Sequence, residues 1–151
     1  MLEFIWGLKT AAIFDVWTFE HLSAGLSIGS IVKKKTKEEL QNVNSKVNEN
    51  YKTAIKFSVV AILFIAYIWE AVEHYIEQGL IGEWWKYWFQ GVEFWPNRLI
   101  TDPLMLVTGY FIVLKYPWMK WPARCFSAVW IFTNLFLVPH SMTIQQWLMF
   151  G

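Results

Sequence analysis

The chain has 151 residues, of which 56% are apolar, including 11 Trp, 12 Phe and 6 Tyr, and its net charge is +1. That length suits one compact domain, and the near-neutral charge removes the bulk electrostatic case for a nucleic-acid partner. So apolar and Trp-rich a composition exceeds the soluble norm and points to a bilayer, whose interface favours amphipathic rings.

The first apolar segment, AAIFDVWTFEHLSAGLSIGSIV, is expected to span over about 11–32. Upstream of it no cleavable signal peptide is expected: the first 15 residues lack a basic n-region and Asp15 interrupts the apolar stretch. The G-x-x-x-G spacing of Gly25 and Gly29 favours close helix packing. Residues 33–52 are polar and Lys-rich and read as a solvated loop or short helix. The second span, about 53–75, is built on FSVVAILFIAYIW. Residues 80–95 carry Trp84, Trp85, Trp88 and Trp95 and read as an amphipathic helix lying on the membrane surface.

The third span, about 99–116, contains Pro103. Either a helix starts there with Asp102 as N-cap, rising only ~21 Å to residue 116, or it continues upstream with a kink. A basic turn over 115–124 leads to the fourth span, about 122–140. Cys125 is the single cysteine; it builds no intrachain disulfide framework and reads as a small buried apolar side chain. The expected fold class is all-α: an integral membrane bundle of four transmembrane helices plus one interfacial amphipathic helix, in a single domain over 1–151. Six Lys between 33 and 52, and Lys115, Lys120 and Arg124, place those two loops in the cytoplasm and both termini outside. Lys9, Lys86 and Arg98 then fall on the outer side.

The sequence AYIWEAVEHYIE ends the second span with Glu70, Glu73, His74 and Glu77. These four lie within a sector of ~100° on a helix, so one stripe points them into the bundle. Counting back from the basic loops at 1.5 Å per residue, His21, Glu70, Asp102 and His140 lie roughly 18–24 Å away, at one level in the outer half. Ionisable groups in spans usually face an interior and mark function. Imidazole with carboxylate suits zinc, iron, manganese or copper. The candidate metal ligands are His21, Glu70, His74, Asp102 and His140, with Glu70 and His74 at i and i+4. Haem between His21 and His74 is a second option, and proton relay through His and carboxylates a third. Glu73 and His74 are the candidate general acid or base.

Structural roles stand beside these. His21 can simply hydrogen-bond Glu70, Asp102 can be only an N-cap, and Glu77 and His140 can sit at the aqueous interface. Glu20 points ~100° away from His21. Arg98 can pair with Asp102 or Glu73, or snorkel to headgroups. Ser23, Ser27 and Ser141 lack a nucleophile-elbow signature.

Three motifs, WTFEHLSAGLSIG (Trp17, His21, Gly25), WEAVEH (Trp69, Glu70, Glu73) and NRLITDPLMLVTG (Asn97, Asp102, Gly109), occur in this order. The pattern resembles the VanZ-like group of small bacterial polytopic membrane proteins over about residues 14–112. Within that group it looks closer to a branch with a W-x-x-x-H-x-x-x-G first span, a W-E-x-x-E-N second span and an N…D…G third, and it departs from that branch with His74 in place of Asn and in its Trp-rich 84–95 segment. The resemblance implies no established reaction. It implies a bacterial inner membrane and one polar cluster of His21, Glu70, Glu73, Asn97 and Asp102. The expected function is therefore an intramembrane His/Glu/Asp site that binds a metal ion or relays protons, acting on a lipid-borne substrate. The alternative is an accessory subunit of a larger membrane complex, such as a respiratory or other redox assembly, with or without haem. Expected partners are membrane lipids and other membrane subunits. Transport is weaker, because no inverted repeat is present.

Overall fold

The computed structural model describes residues 2–43, 51–138 and 140–151. Among them the elements are helical, apart from an isolated parallel bridge between Trp6 and Phe14. After a single turn, α1 (Leu2–Ile5), the long helix α2 runs over Val16–Val43. It starts five residues later than the apolar segment because Asp15 caps it. Asp15 Oδ1 accepts from the backbone N–H groups of Trp17 (2.7 Å) and Thr18 (3.1 Å), while Thr18 Oγ1 accepts from Asp15 N–H at 3.1 Å. The acid that breaks the apolar run is thus a reciprocal helix cap.

Residues 33–43, expected as a solvated loop or a short helix, are helical and extend α2, and Glu38 pairs with Lys34 (3.8 Å) and Lys35 (3.1 Å) along its exposed side. The rest of that connection, 44–50, lies outside the described residues. Helix α3 spans Tyr51–Glu77, and α4 is a short Glu83–Phe89 helix where a longer surface helix was expected. Helix α5, Asp102–Lys115, follows a π turn over Asn97–Thr101 without a break. The chain therefore continues upstream of Pro103, and Asp102 is helical (φ −68°, ψ −44°), not a cap. Its N–H bonds the Asn97 carbonyl, and the wide turn accommodates the proline that follows. Helix α6 (Lys120–Phe132) likewise runs into a π turn, Thr133–Leu137. A further helix, α7 (Thr143–Phe150), was not anticipated; its buried Gln145 accepts from Val16 N–H at 3.0 Å and so helps seat the start of α2.

One helix among the described residues, Lys52–Glu77, is long and apolar enough to cross a membrane, with a mean hydropathy of 1.9. The others fall short by polarity, as with α2, or by helix length.

Helix α2 is central and packs on α3, α5 and α6. Gly25 and Gly109 face one another at its crossing with α5: a methyl on Gly25 would meet the Leu106 carbonyl, and one on Gly109 the Leu22 carbonyl. Ile62 and Ala66 of α3 and Leu106 and Tyr110 of α5 form a buried apolar cluster, against which Ala24, Ile28 and Val32 of α2 pack. Toward α6 the ties are polar: Ser23 Oγ donates to the Ala123 carbonyl (3.0 Å) and Arg124 to the Ser27 carbonyl (3.0 Å). Cys125, expected inside, is exposed on α6.

Candidate functional site

Each of the three main helices brings one ionisable side chain to a common point. The capped start of α2 places His21 just over a turn in, the C-terminal third of α3 brings Glu70, and the π turn before α5 directs Asp102 inward. All three are buried, at 8%, 2% and 0% exposure. His21 Nε2 lies 3.2 Å from Asp102 Oδ2 and 3.7 Å from Glu70 Oε1. The three ligand atoms fall within 4.8 Å of one another. Neither oxygen of Glu70 or of Asp102 has a hydrogen-bond partner. Buried carboxylates without donors are costly, so this arrangement needs a proton or a cation to settle it.

A second acidic group adjoins the first. Glu73, Glu77 and Glu93 also present oxygens within 4.8 Å of each other. Here cations are built in. Arg98 Nη2 bonds Glu77 Oε2 at 2.6 Å and lies 3.4 Å from Glu93, and its Nε is 3.6 Å from Glu70. Lys9 bonds Glu77 and lies 3.6 Å from Glu73. Glu77, expected at the aqueous interface, is 1% exposed. It is the acid on which both cations converge. Asn97 donates to Glu93 (2.8 Å) and Asp15 (3.4 Å), joining the cap of α2 to the network. Burial, then the charges of Glu73 and Asp15, push the Glu93 carboxyl up to about 8. Burial alone would lower Lys9; the charges of Glu73 and Glu77 outweigh it and hold the ammonium above its usual value.

Six carboxylates (Asp15, Glu70, Glu73, Glu77, Glu93, Asp102) thus surround two permanent cations, Lys9 and Arg98. Fully ionised, the network would carry four uncompensated negative charges in a buried space. The Glu73/Glu77/Glu93 side already has both cations. The His21/Glu70/Asp102 side has only Arg98 Nε, 3.6 Å from Glu70 and not hydrogen-bonded to it, and so is the group of the two that could better hold a metal. Tetrahedral bonds of ~2.0–2.1 Å separate ligand atoms by ~3.3 Å, and the two His21 distances bracket that value.

The other expected ligands are elsewhere. His74 does not join Glu70 at i,i+4: its Nδ1 is 3.1 Å from Arg98 Nη1 and its ring packs on Trp95 at 5.5 Å. His140 packs on Tyr87 at 5.2 Å, outside the polar network. Glu73 stands beside Lys9, on the wall of a cavity of about 400 Å³ that His21 and Glu20 also line. Lys9, Asp15 and Glu93 were not among the expected site residues. Their signal was available for the first two, as lone charges in an otherwise apolar amino-terminal stretch.

No family model, no curated protein and no solved structure matches this chain.

Proposed function

We propose that the chain is an integral membrane protein that holds a divalent transition-metal ion between His21, Glu70 and Asp102. The observation that carries this reading is the pair of buried carboxylates, from different helices, that face one imidazole with no hydrogen-bond donor on either. One nitrogen and two carboxylates suit zinc, iron or manganese. Three protein ligands leave a further position free, as sites that act on a bound water or substrate require. Glu73, on the cavity wall nearby, is placed to exchange a proton with a substrate there.

The membrane part of the reading is supported by what the outer faces carry. Helix α3 turns Phe57, Val60, Phe64 and Ile68 outward while Glu70 points in, and α6 exposes Val129 and Phe132. Apolar faces of this kind are stable against lipid. Joined to its π turn, α5 becomes 19 residues over 97–115, a rise of ~28 Å that nearly matches a hydrocarbon core. Lys9 and Arg98 are buried acid partners, so that, of the three outer-side Lys and Arg residues, Lys86 is the one with no ion pair among the described residues, which sharpens the asymmetry toward cytoplasmic loops. The VanZ-like resemblance agrees with an inner-membrane setting.

The test is metal content by mass spectrometry of protein purified in a neutral maltoside without chelator. About one zinc, iron or manganese per chain is expected, lost in His21→Ala and Asp102→Asn and kept in His74→Ala. Wild-type protein free of metal after growth in supplemented medium would sink the reading. That outcome would favour the accessory-subunit alternative, in which the network is structural; the ion pairs around Glu77 already have that character.

A further inference from the structure

The cavity beside the site is a groove over α2, with α3 on one side and α6 on the other, closed at one end by α4. Its walls are mostly aromatic and aliphatic: Trp17, Trp69, Trp85 and Trp88 contribute indoles, and Ile65 and Leu135 line its flanks. Two indole N–H groups are already used, since Trp17 Nε1 donates to the Ser141 carbonyl (3.0 Å) and Trp88 Nε1 to the Asn134 carbonyl (2.9 Å). Those bonds lock the rings, which meet edge to face at 5.9 Å, so that they offer faces rather than donors. The polar part of the wall is Glu20, His21, Glu73 and Ser141, whose Oγ donates to the Phe89 carbonyl at 3.0 Å. Glu20 Oε2 is buried without a hydrogen-bond partner. No Lys or Arg is among the described residues that line the cavity. Lys9 lies behind Glu73 and is held by Glu77.

Electron-rich ring faces beside carboxylates recognise organic cations. The same wall disfavours phosphate and carboxylate heads, because Glu20 and Glu73 repel them and no Lys or Arg among the lining residues offsets that charge. We infer that the cavity binds a cationic amphiphile, an amine or quaternary ammonium on an apolar body, with its charge between Glu20 and Glu73 and its body along α2. This deepens the membrane-site reading by naming its ligand class, and it rests on that reading for the lipid-side access that such a molecule needs.

The experiment uses two hydrophobic ions of one shape and opposite sign, tetraphenylphosphonium and tetraphenylborate. Each is titrated calorimetrically into the full chain in neutral maltoside, with protein-free micelles as the blank. Tetraphenylphosphonium should bind saturably and tetraphenylborate should not. Glu20→Gln should weaken the cation at least tenfold, and Trp69→Leu, at a half-exposed ring, several-fold with little change in thermal midpoint. Equal binding of the two ions, or full affinity in both variants, would overturn the inference. Asp102→Asn separates the two readings: it should lose metal and keep tetraphenylphosphonium. Selective cation binding by a protein that never holds metal would retain the cavity assignment and discard the metal.

Discussion

Arg98 shows how far one side chain can organise this molecule. It lies at 2% exposure and reaches Glu70, Glu77, Glu93 and His74. Its Nη2–Glu77 contact of 2.6 Å is a charge-assisted bond in a site from which water is largely excluded. Removing one partner of such a pair strands the other as a buried charge, which typically costs about 3–5 kcal/mol. Arg98→Met should therefore lower the thermal midpoint in detergent well beyond the effect of Lys86→Met on the surface; at this chain length each kcal/mol moves the midpoint by about 2–4 °C. Equal midpoints would show that the cluster adjusts its protons to compensate. Sequence reasoning placed Arg98 near an acid or a headgroup but could not choose, because the choice depends on the π turn. Glu77 was misplaced for a related reason: its position at the end of a hydrophobic helix looks wet until the amino-terminal segment returns with Lys9 to cover it. That return is held partly by backbone, Phe94 N–H donating to the Lys9 carbonyl at 2.8 Å, and no local pattern announces such a bond.

Among the elements, the crossing of α2 and α5 leaves no room. Gly25 and Gly109 let two backbones touch, and a methyl on either would meet a carbonyl of the facing helix. Close approach through glycine is the usual route to tight helix association in lipid. Gly25→Leu should cost at least about 1–3 kcal/mol by overpacking, and Gly109→Leu a similar amount. The double variant should cost less than the two combined, because both act on one contact; strict additivity in thermal midpoint would place the residues in separate environments. The G-x-x-x-G spacing made this side of α2 legible in advance. Helix boundaries were less so. Asp15 read as an interruption and is a cap, and Pro103 read as a start or a kink and sits just inside a continuous helix whose π turn precedes it. In each case the residue type was informative, but only the hydrogen-bond partner decided which of its uses applies.

At the scale of the whole chain, the proposed membrane setting and its four spans make a topological prediction. With Cys125 replaced by Ser, single cysteines report the sides. Lys37→Cys and Lys120→Cys should react with a membrane-impermeant maleimide only in inverted vesicles, and Glu83→Cys only in intact cells. Labelling of Lys37→Cys and Glu83→Cys from the same side would rule out a crossing by α3 and with it the four-span arrangement. Helical rise, at 1.5 Å per residue from a basic loop, put His21, Glu70, Asp102 and His140 at one level; the first three meet within 4.8 Å, whereas His140 packs on Tyr87. The loop-borne members, Lys9 and Glu93, have no such ruler, and neither was among the expected site residues.

The two buried cations also differ in when they exist. A ribosome makes Lys9 long before Glu70, Glu73 and Glu77, and Arg98 only after them. For that interval the acids of α3 have one native counter-charge in the nascent chain, carried on the segment that closes over Glu77. The head of this protein is thus chemically equipped to chaperone its own most awkward helix until the remaining partner is synthesised.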